Sequence, residues 1–184
     1  MDIQIDSREK ARAIKKIVTE FDKQGVNYFT SKLLVGDYMS LDNPRLVIDR
    51  KQNLSEVCSN VCQQHKRFKD ELLRANHAGI RLVLLIEHGG QIKSLEDVFF
   101  WKNPRQWKFE KDTKEKYGFH WSTPFSEVEK KLKAERIRIF PPTTGEALYK
   151  SLCTIRDRYN VGIEFCEKKN TGKRIIEILG GNNG

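Results

Sequence analysis

The run Arg81-Leu82-Val83-Leu84-Leu85-Ile86-Glu87 sets the strongest limit on how this chain folds. It is apolar without alternation, and such a strand is buried on both faces. Each face then needs a cover, so the run predicts a sheet with helices on both sides. The rest of the sequence supplies them. Ala11, Ile14, Ile17, Val18 and Phe21 recur at helical spacing until Gly25. Leu54, Val57, Cys58, Val61, Cys62, Phe68, Leu72 and Leu73 form a second stripe, which predicts one long helix over about 54–76, ended by Gly79. Strand–helix units are expected at 137–140 with 145–159 and at 161–166 with 173–179. Shorter strands are expected at 2–6, 26–30, 33–39 and 46–51, with turn chemistry at Asp42-Asn43-Pro44-Arg45. The expected fold class is α/β, a central mixed β-sheet flanked by helices. One domain over 3–179 and a frayed tail over 180–184 are expected.

Residues 99–125 interrupt this rhythm. They hold all three tryptophans with Phe99, Phe100, Phe109, Tyr117, Phe119 and Phe125, and lysines and an arginine are interleaved. The stretch reads as an aromatic and basic insertion within the domain. Its rings can stack unpaired bases, but packing as a satellite cluster under a long loop is the favoured reading for most of them. Lys102, Arg105 and Lys108 keep a DNA contact open.

Charge narrows the partner. Lys and Arg number 34 against 25 Asp and Glu, a formal net charge of +9, which suits a polyanion. Four cysteines give no disulfide scaffold, Asp2 and Asp6 interrupt the first apolar residues against a secretory leader, and the run 82–86 is too short to span a bilayer. The expected setting is a reducing cytoplasm, nucleoid-associated in a bacterial or phage context, with no membrane partner. Cys58, Cys62 and His65 share a helix face, yet no second pair completes a zinc site, and buried thiols are the better reading.

Three stretches carry chemistry: Asp6-Ser7-Arg8-Glu9, Gly36-Asp37-Tyr38 and Asp49-Arg50-Lys51. If a hairpin turns near Asn43 and Pro44, residues whose numbers sum to about 86 or 87 face each other, and Asp37 meets Asp49. Carboxylates on directly opposed residues repel unless a cation lies between them. Magnesium fits such oxygen ligands, with manganese able to replace it. Lys51 leaves the strand on the same face as Asp49, while Arg50 points to the other face, its backbone carbonyl still free to turn toward the metal. Asp6 is a third candidate ligand and Glu20 a weaker outer acid. Alone, each motif is ordinary in turns and on surfaces; order, strand context and facing register make the case. On the long helix, Arg67 is the main phosphate candidate, with Lys66, Lys69 and Arg74 beside it and a solvated face the alternative for the lysines.

These residues resemble the nuclease domain of the XPF-type structure-specific endonucleases, a branch of the restriction-enzyme-like nucleases. The likeness covers residues 3–87 best. It implies a restriction-endonuclease-like fold and metal-dependent DNA cleavage near branches or junctions. It assigns metal binding to Asp37 and Asp49 with Asp6 in support, and catalysis to Lys51, with Arg8 and Glu9 in the first motif. Asp49 stands where that family has Glu, Glu71 where it usually has Gln, and Glu56 falls one position later than its Asp. No tandem helix-hairpin-helix follows, so a stand-alone catalytic domain, a homodimer or a separate DNA-gripping partner is expected. A catalytically silent DNA-binding module and a linear-duplex exonuclease or recombination nuclease are the alternatives.

Overall fold

The computed structural model describes residues 1–181. Its six strands are β1 (Asp2–Asp6), β2 (Asn27–Ser31), β3 (Tyr38–Ser40), β4 (Asn43–Lys51), β5 (Arg81–Glu87) and β6 (Gly162–Cys166). They form one mixed sheet in the order β2-β1-β3-β4-β5-β6. β3 is antiparallel to both β1 and β4; the pairs β1–β2, β4–β5 and β5–β6 are parallel. The helices are α1 (Ala11–Lys23), α2 (Leu54–Cys58), α3 (His65–His77), α4 (Arg105–Lys116), α5 (Phe125–Ala134), α6 (Gly145–Tyr159) and α7 (Thr171–Gly180).

The apolar run 82–86 lies inside β5 and divides its side chains as a doubly covered strand must. Leu82, Leu84 and Ile86 join the core beneath α2, α3 and α6, while Val83 and Leu85 join the core under α1 and α7. β4 does the same. Leu46 and Ile48 face α1 and α7, and Val47 faces α2 and α3. That alternation places Asp49 and Lys51 on the α2–α3 side and Arg50 on the other.

Five expectations are corrected. The hairpin turns at Leu41 and Asp42, earlier than Asn43 and Pro44. Ser40 pairs with Asn43 and Met39 with Val47, so three residues of β4 bulge out between the two pairs. The bulge restores the sum of 86, because Tyr38 then faces Ile48. The helix over 54–76 is broken by a π-helical turn at Ser59–Gln63 between α2 and α3. The buried positions Val57, Val61, Phe68 and Leu72 keep helical spacing across the break, so periodicity does not reveal it. Residues 137–140 form no strand. They follow a left-handed Arg136 (φ 60°) and precede two prolines, which cannot extend a ladder, and Phe140 is 83% exposed. Of the run 33–39 only Tyr38 and Met39 enter a strand, β3, since Gly36 turns the chain at φ 67°. The tail expected from 180 begins inside α7, which ends on Gly180; residues 182–184 lie outside the described residues.

The insertion is helical: α4 and α5 pack on each other through the edge-on pair Phe109–Phe125, with rings 5.6 Å apart. Trp101, just before α4, is buried in the main core.

Candidate active site

Gly36 sets the geometry. A side chain there would meet Val47 Cγ1 at 2.6 Å and the Ile48 carbonyl at 2.9 Å, so the bare backbone lets the chain cross close over β4. Asp37 is fixed at once. Its N–H donates to the Ile48 carbonyl (2.8 Å), its carbonyl accepts from Asp6 N–H (2.8 Å), and its Oδ2 accepts from Arg50 N–H (2.7 Å). Asp37 is thereby held across from Asp49 and Arg50, one step past the last paired residues of β3 and β4. A residue's N–H and C=O leave an extended strand on the same side, so the Arg50 carbonyl projects toward Asp37 as well.

Asp37, Asp49 and Lys51 line one cleft of about 530 Å³. Burial, reinforced by the charges of Asp49 and Glu9, pushes the Asp37 carboxyl well above the usual carboxylate range. Burial also raises Asp49, against the pull of Lys51. Lys51 Nζ stands 2.8 Å from Asp49 Oδ2, and 5.6 Å from the centroid of the Phe68 ring. Burial alone would lower the lysine; the Asp49 carboxylate outweighs it and holds the ammonium charged. The ammonium is out of hydrogen-bonding alignment with Asp49 Oδ2, which keeps lone pairs free. Two buried carboxyls facing one cleft, with Lys51 paired to only one of them, are a donor set that fits a hard divalent cation.

Glu71 also enters the cleft, from α3. Its Oε1 accepts from Gly36 N–H (3.1 Å), and its charge raises Asp49. Glu56 lines the cleft but is tied up in capping: Asn53 Oδ1 accepts from Glu56 N–H (2.9 Å), and Glu56 Oε2 accepts from Gln52 N–H (2.8 Å).

Asp6 faces the same side without entering the cleft. Its Oδ1 accepts from Arg8 Nε (2.6 Å) and Arg8 N–H (2.8 Å), and its Oδ2 from Leu33 N–H (2.7 Å). Its burial would raise the carboxyl, yet Arg8 and the Leu33 N–H outweigh it and hold it below the ordinary 3.8. The structure gives Asp6 the work of clamping the loop before β3 and presenting Arg8, whose side chain does line the cleft. Asp6→Ala is expected to cost about 2–4 kcal/mol, since it strands a buried N–H and an arginine. A depressed carboxyl stabilises the fold above its unfolded value and loses that contribution as pH falls. The melting-temperature gap between wild type and Asp6→Ala should therefore be full at pH 7 and shrink below about pH 4.

Arg50 and Glu9 lie on the far side of the sheet. Arg50 Nη2 pairs with Glu9 Oε2 and Nη1 with Glu87 Oε1, each at 2.9 Å. Tyr38 Oη donates to Glu9 (3.1 Å) and Thr171 Oγ1 to Glu87 (2.9 Å). Glu20 is not brought to the site: it pairs with Lys23 on α1 and with Gln24 just after it, and its Cβ packs against Gly172 of α7. Among the basic candidates, Arg67 and Arg105 reach the cleft. Lys66 and Arg74 line an adjoining groove with Arg67. Lys69 and Lys108 are exposed elsewhere on their helices, and Lys102 lies by Trp101. Sequence reasoning missed Ser59 and Asn60, which line the cleft from the π-helical turn, and Gln64, which lines it from the residue just after. No spacing signal marks them.

Among protein-family models, that of the ERCC4 domain matches residues 5–179. The chain belongs to the ERCC4 domain family. This ERCC4 domain superposes on XPF from Aeropyrum pernix with a TM-score of 0.56 at 12% identity, and on XPF from Aeropyrum pernix in complex with DNA with 0.55 at 14%. Each superposition covers 97% of this chain and 63% of the other, so the domain spans under two thirds of those proteins. The likeness places it in the restriction-endonuclease-like α/β fold, and the resemblance to XPF-type nuclease domains is borne out. No curated protein matches the chain in sequence. Among the described residues, no helix is long and apolar enough to cross a membrane.

Proposed function

We propose that this ERCC4 domain, with residues 3–179 as one nuclease unit, hydrolyses DNA phosphodiesters internally, at branched, flapped or junction DNA, with magnesium or in its place manganese. The observation that carries this is the convergence of Asp37, Asp49 and Lys51 on one cleft, with both carboxyls pushed up by burial and by neighbouring acids. Among the described residues no three His, Cys, Asp or Glu side chains gather to hold an ion alone. That suits magnesium, which is commonly bound through one or two carboxylates, waters and substrate phosphates. Asp37 and Asp49 would hold it, with the Arg50 carbonyl on the same side. The ion supplies Lewis acidity to a phosphate oxygen and to water. Lys51 offsets charge building on phosphorus or orients the attacking water. Arg8, Arg67 and Arg105, at the mouth of the cleft, seat the flanking phosphates.

The test uses end-labelled flap, fork, four-way junction and linear duplexes with magnesium, manganese or a chelator, for wild type and Asp49→Asn. Metal-dependent internal cutting that Asp49→Asn abolishes while binding persists supports the reading. Binding without cleavage in every metal would make this a silent DNA-binding module, and attack on linear ends alone an exonuclease.

Asp37→Asn separates stability from chemistry. It removes the buried like charge while the amide oxygen can still accept from Arg50 N–H. Without metal it is expected to melt a few degrees higher than wild type, about 1 kcal/mol more stable, and to cleave nothing. Calorimetry in a chelator checks the first half and the cleavage assay the second; a lower melting point would remove the argument for charge stored in the cleft.

A further inference from the structure

The insertion sorts its tryptophans in a way that packing does not explain. Trp101 is 8% exposed and belongs to the core, but Trp107 and Trp121 are 72% and 80% exposed. Both line a separate cleft of about 310 Å³ with Phe119, Lys111 and Lys114. Trp107, Lys111 and Lys114 fall at i, i+4 and i+7 on α4, hence on one face. Lys111 Nζ lies 5.8 Å from the centroid of the Trp107 ring. Lys114 Nζ donates to the Trp121 carbonyl (3.0 Å), which fixes the loop that carries the second indole, and the His120 ring lies 5.6 Å from Trp121. The indoles are thus presented by a tethered scaffold rather than left on a loose loop.

We infer that this cleft binds unpaired nucleotides of DNA, by stacking bases on Trp107 and Trp121 and pairing phosphates with Lys111 and Lys114. The inference rests on the nuclease reading for its choice of polymer. Three observations favour single-stranded DNA over an apolar protein partner. Residues 99–125 carry six Lys and Arg (102, 105, 108, 111, 114, 116) against three acids (110, 112, 115), a local excess of +3. The two acids in the cleft are engaged locally: Glu110 accepts from Gln106 Nε2 (2.8 Å), and Glu115 lies 3.7 Å from Lys111 Nζ. And α4 joins the two clefts: Arg105 at its start lines the first, and Trp107, Lys111 and Lys114, about half a turn round the helix from Arg105, line the second. Exposed aromatics interleaved with cations on one face match the way single strands are held without sequence preference. A flexible single strand leaving the cut site past Arg105 can round α4 to reach Trp107 and Trp121, and DNA that is duplex throughout offers no free base faces there. This makes the insertion the element that selects a junction with a single-stranded arm.

The experiment is a tryptophan-fluorescence titration of the whole chain with a 20-nucleotide oligothymidylate, in a chelator so that no cleavage intervenes. A 20-base-pair duplex serves as comparison. Expected are a saturable quench with the single strand, little with the duplex, and about ten-fold or greater weakening of single-strand binding, followed by anisotropy of a labelled strand, in Trp107→Ala/Trp121→Ala. That variant should keep the wild-type melting temperature, because both side chains are exposed. Lys114→Ala, which unties the Trp121 loop, should weaken binding in the same assay. Absence of quenching, equal quenching by duplex, or unchanged binding in the double variant would overturn the inference, and a protein-docking surface would then remain. The two readings fail separately: cleavage without quenching sinks the stacking cleft, and quenching without cleavage sinks the nuclease.

Discussion

Arg50→Met is expected to destabilise the domain by about 3–5 kcal/mol, the usual cost of removing one partner from a buried ion pair. The arginine side chain is 2% exposed and bridges two carboxylates, Glu9 and Glu87, from opposite ends of its guanidinium. Glu87 is itself 2% exposed, and without Arg50 it keeps only the Thr171 hydroxyl. Glu9 keeps only the Tyr38 hydroxyl, whose proton burial and then the Glu9 charge hold in place well above the ordinary range. Two acids would face each other across the space the guanidinium filled. For a chain of this size each kcal/mol moves the melting point about 2–4 °C, so a fall of order 10 °C is expected by calorimetry. The double variant Arg50→Met/Glu87→Gln should recover part of the loss, because it removes the stranded charge along with its partner. Equal melting points for wild type and Arg50→Met would mean that the network contributes nothing to holding β4. Glu87 joins this network from β5 and Thr171 from the start of α7, so the far side of the sheet braces the strand whose near side carries Asp49 and Lys51.

That bracing explains what the sequence could and could not disclose. The site was legible because a strand's two-residue period needs no tertiary knowledge: Asp49 and Lys51 must share a face, and Arg50 must leave it. The facing of Asp37 and Asp49 was reached through a turn placed wrongly, since three bulged residues of β4 offset the earlier turn at Leu41–Asp42. The doubly buried β5 likewise announced helices on both faces. What stayed hidden depended on distant partners. Asp6 reads as a ligand from its motif, and only the fold shows Leu33 N–H and Arg8 occupying its oxygens. The π-helical turn at Ser59–Gln63 leaves the apolar stripe readable as one helix, so the break and the cleft lining of Asn60 and Gln64 stay unseen. In the insertion, composition could not tell the buried Trp101 from the exposed Trp107 and Trp121, because burial there depends on whether α6 lies behind the ring.

Lys51→Ala is expected to lower cleavage by about 10²–10⁴-fold while leaving DNA affinity within a factor of two or so, since the group acts on charge that exists only as the phosphodiester breaks. Its placement supports that division. The ammonium is buried, stands 2.8 Å from Asp49 Oδ2, rests against the Phe68 ring and is held charged, so it sits beside the reacting phosphate's place rather than along the exposed path of the DNA. Arg67→Ala, at the mouth of the cleft, should do the reverse, weakening binding and steepening no chemical step. Lys51→Arg tests whether charge alone suffices. A guanidinium is longer and planar, and the 8% exposure of Lys51 against Phe68 leaves no room to turn it, so the variant is expected to stay nearly as slow as alanine. Single-turnover cleavage at saturating enzyme separates these cases, because it reads the chemical step without product release. Wild-type rates in Lys51→Ala would show that the lysine merely neutralises Asp49, and would leave the two carboxylates and their metal as the whole of the catalytic apparatus.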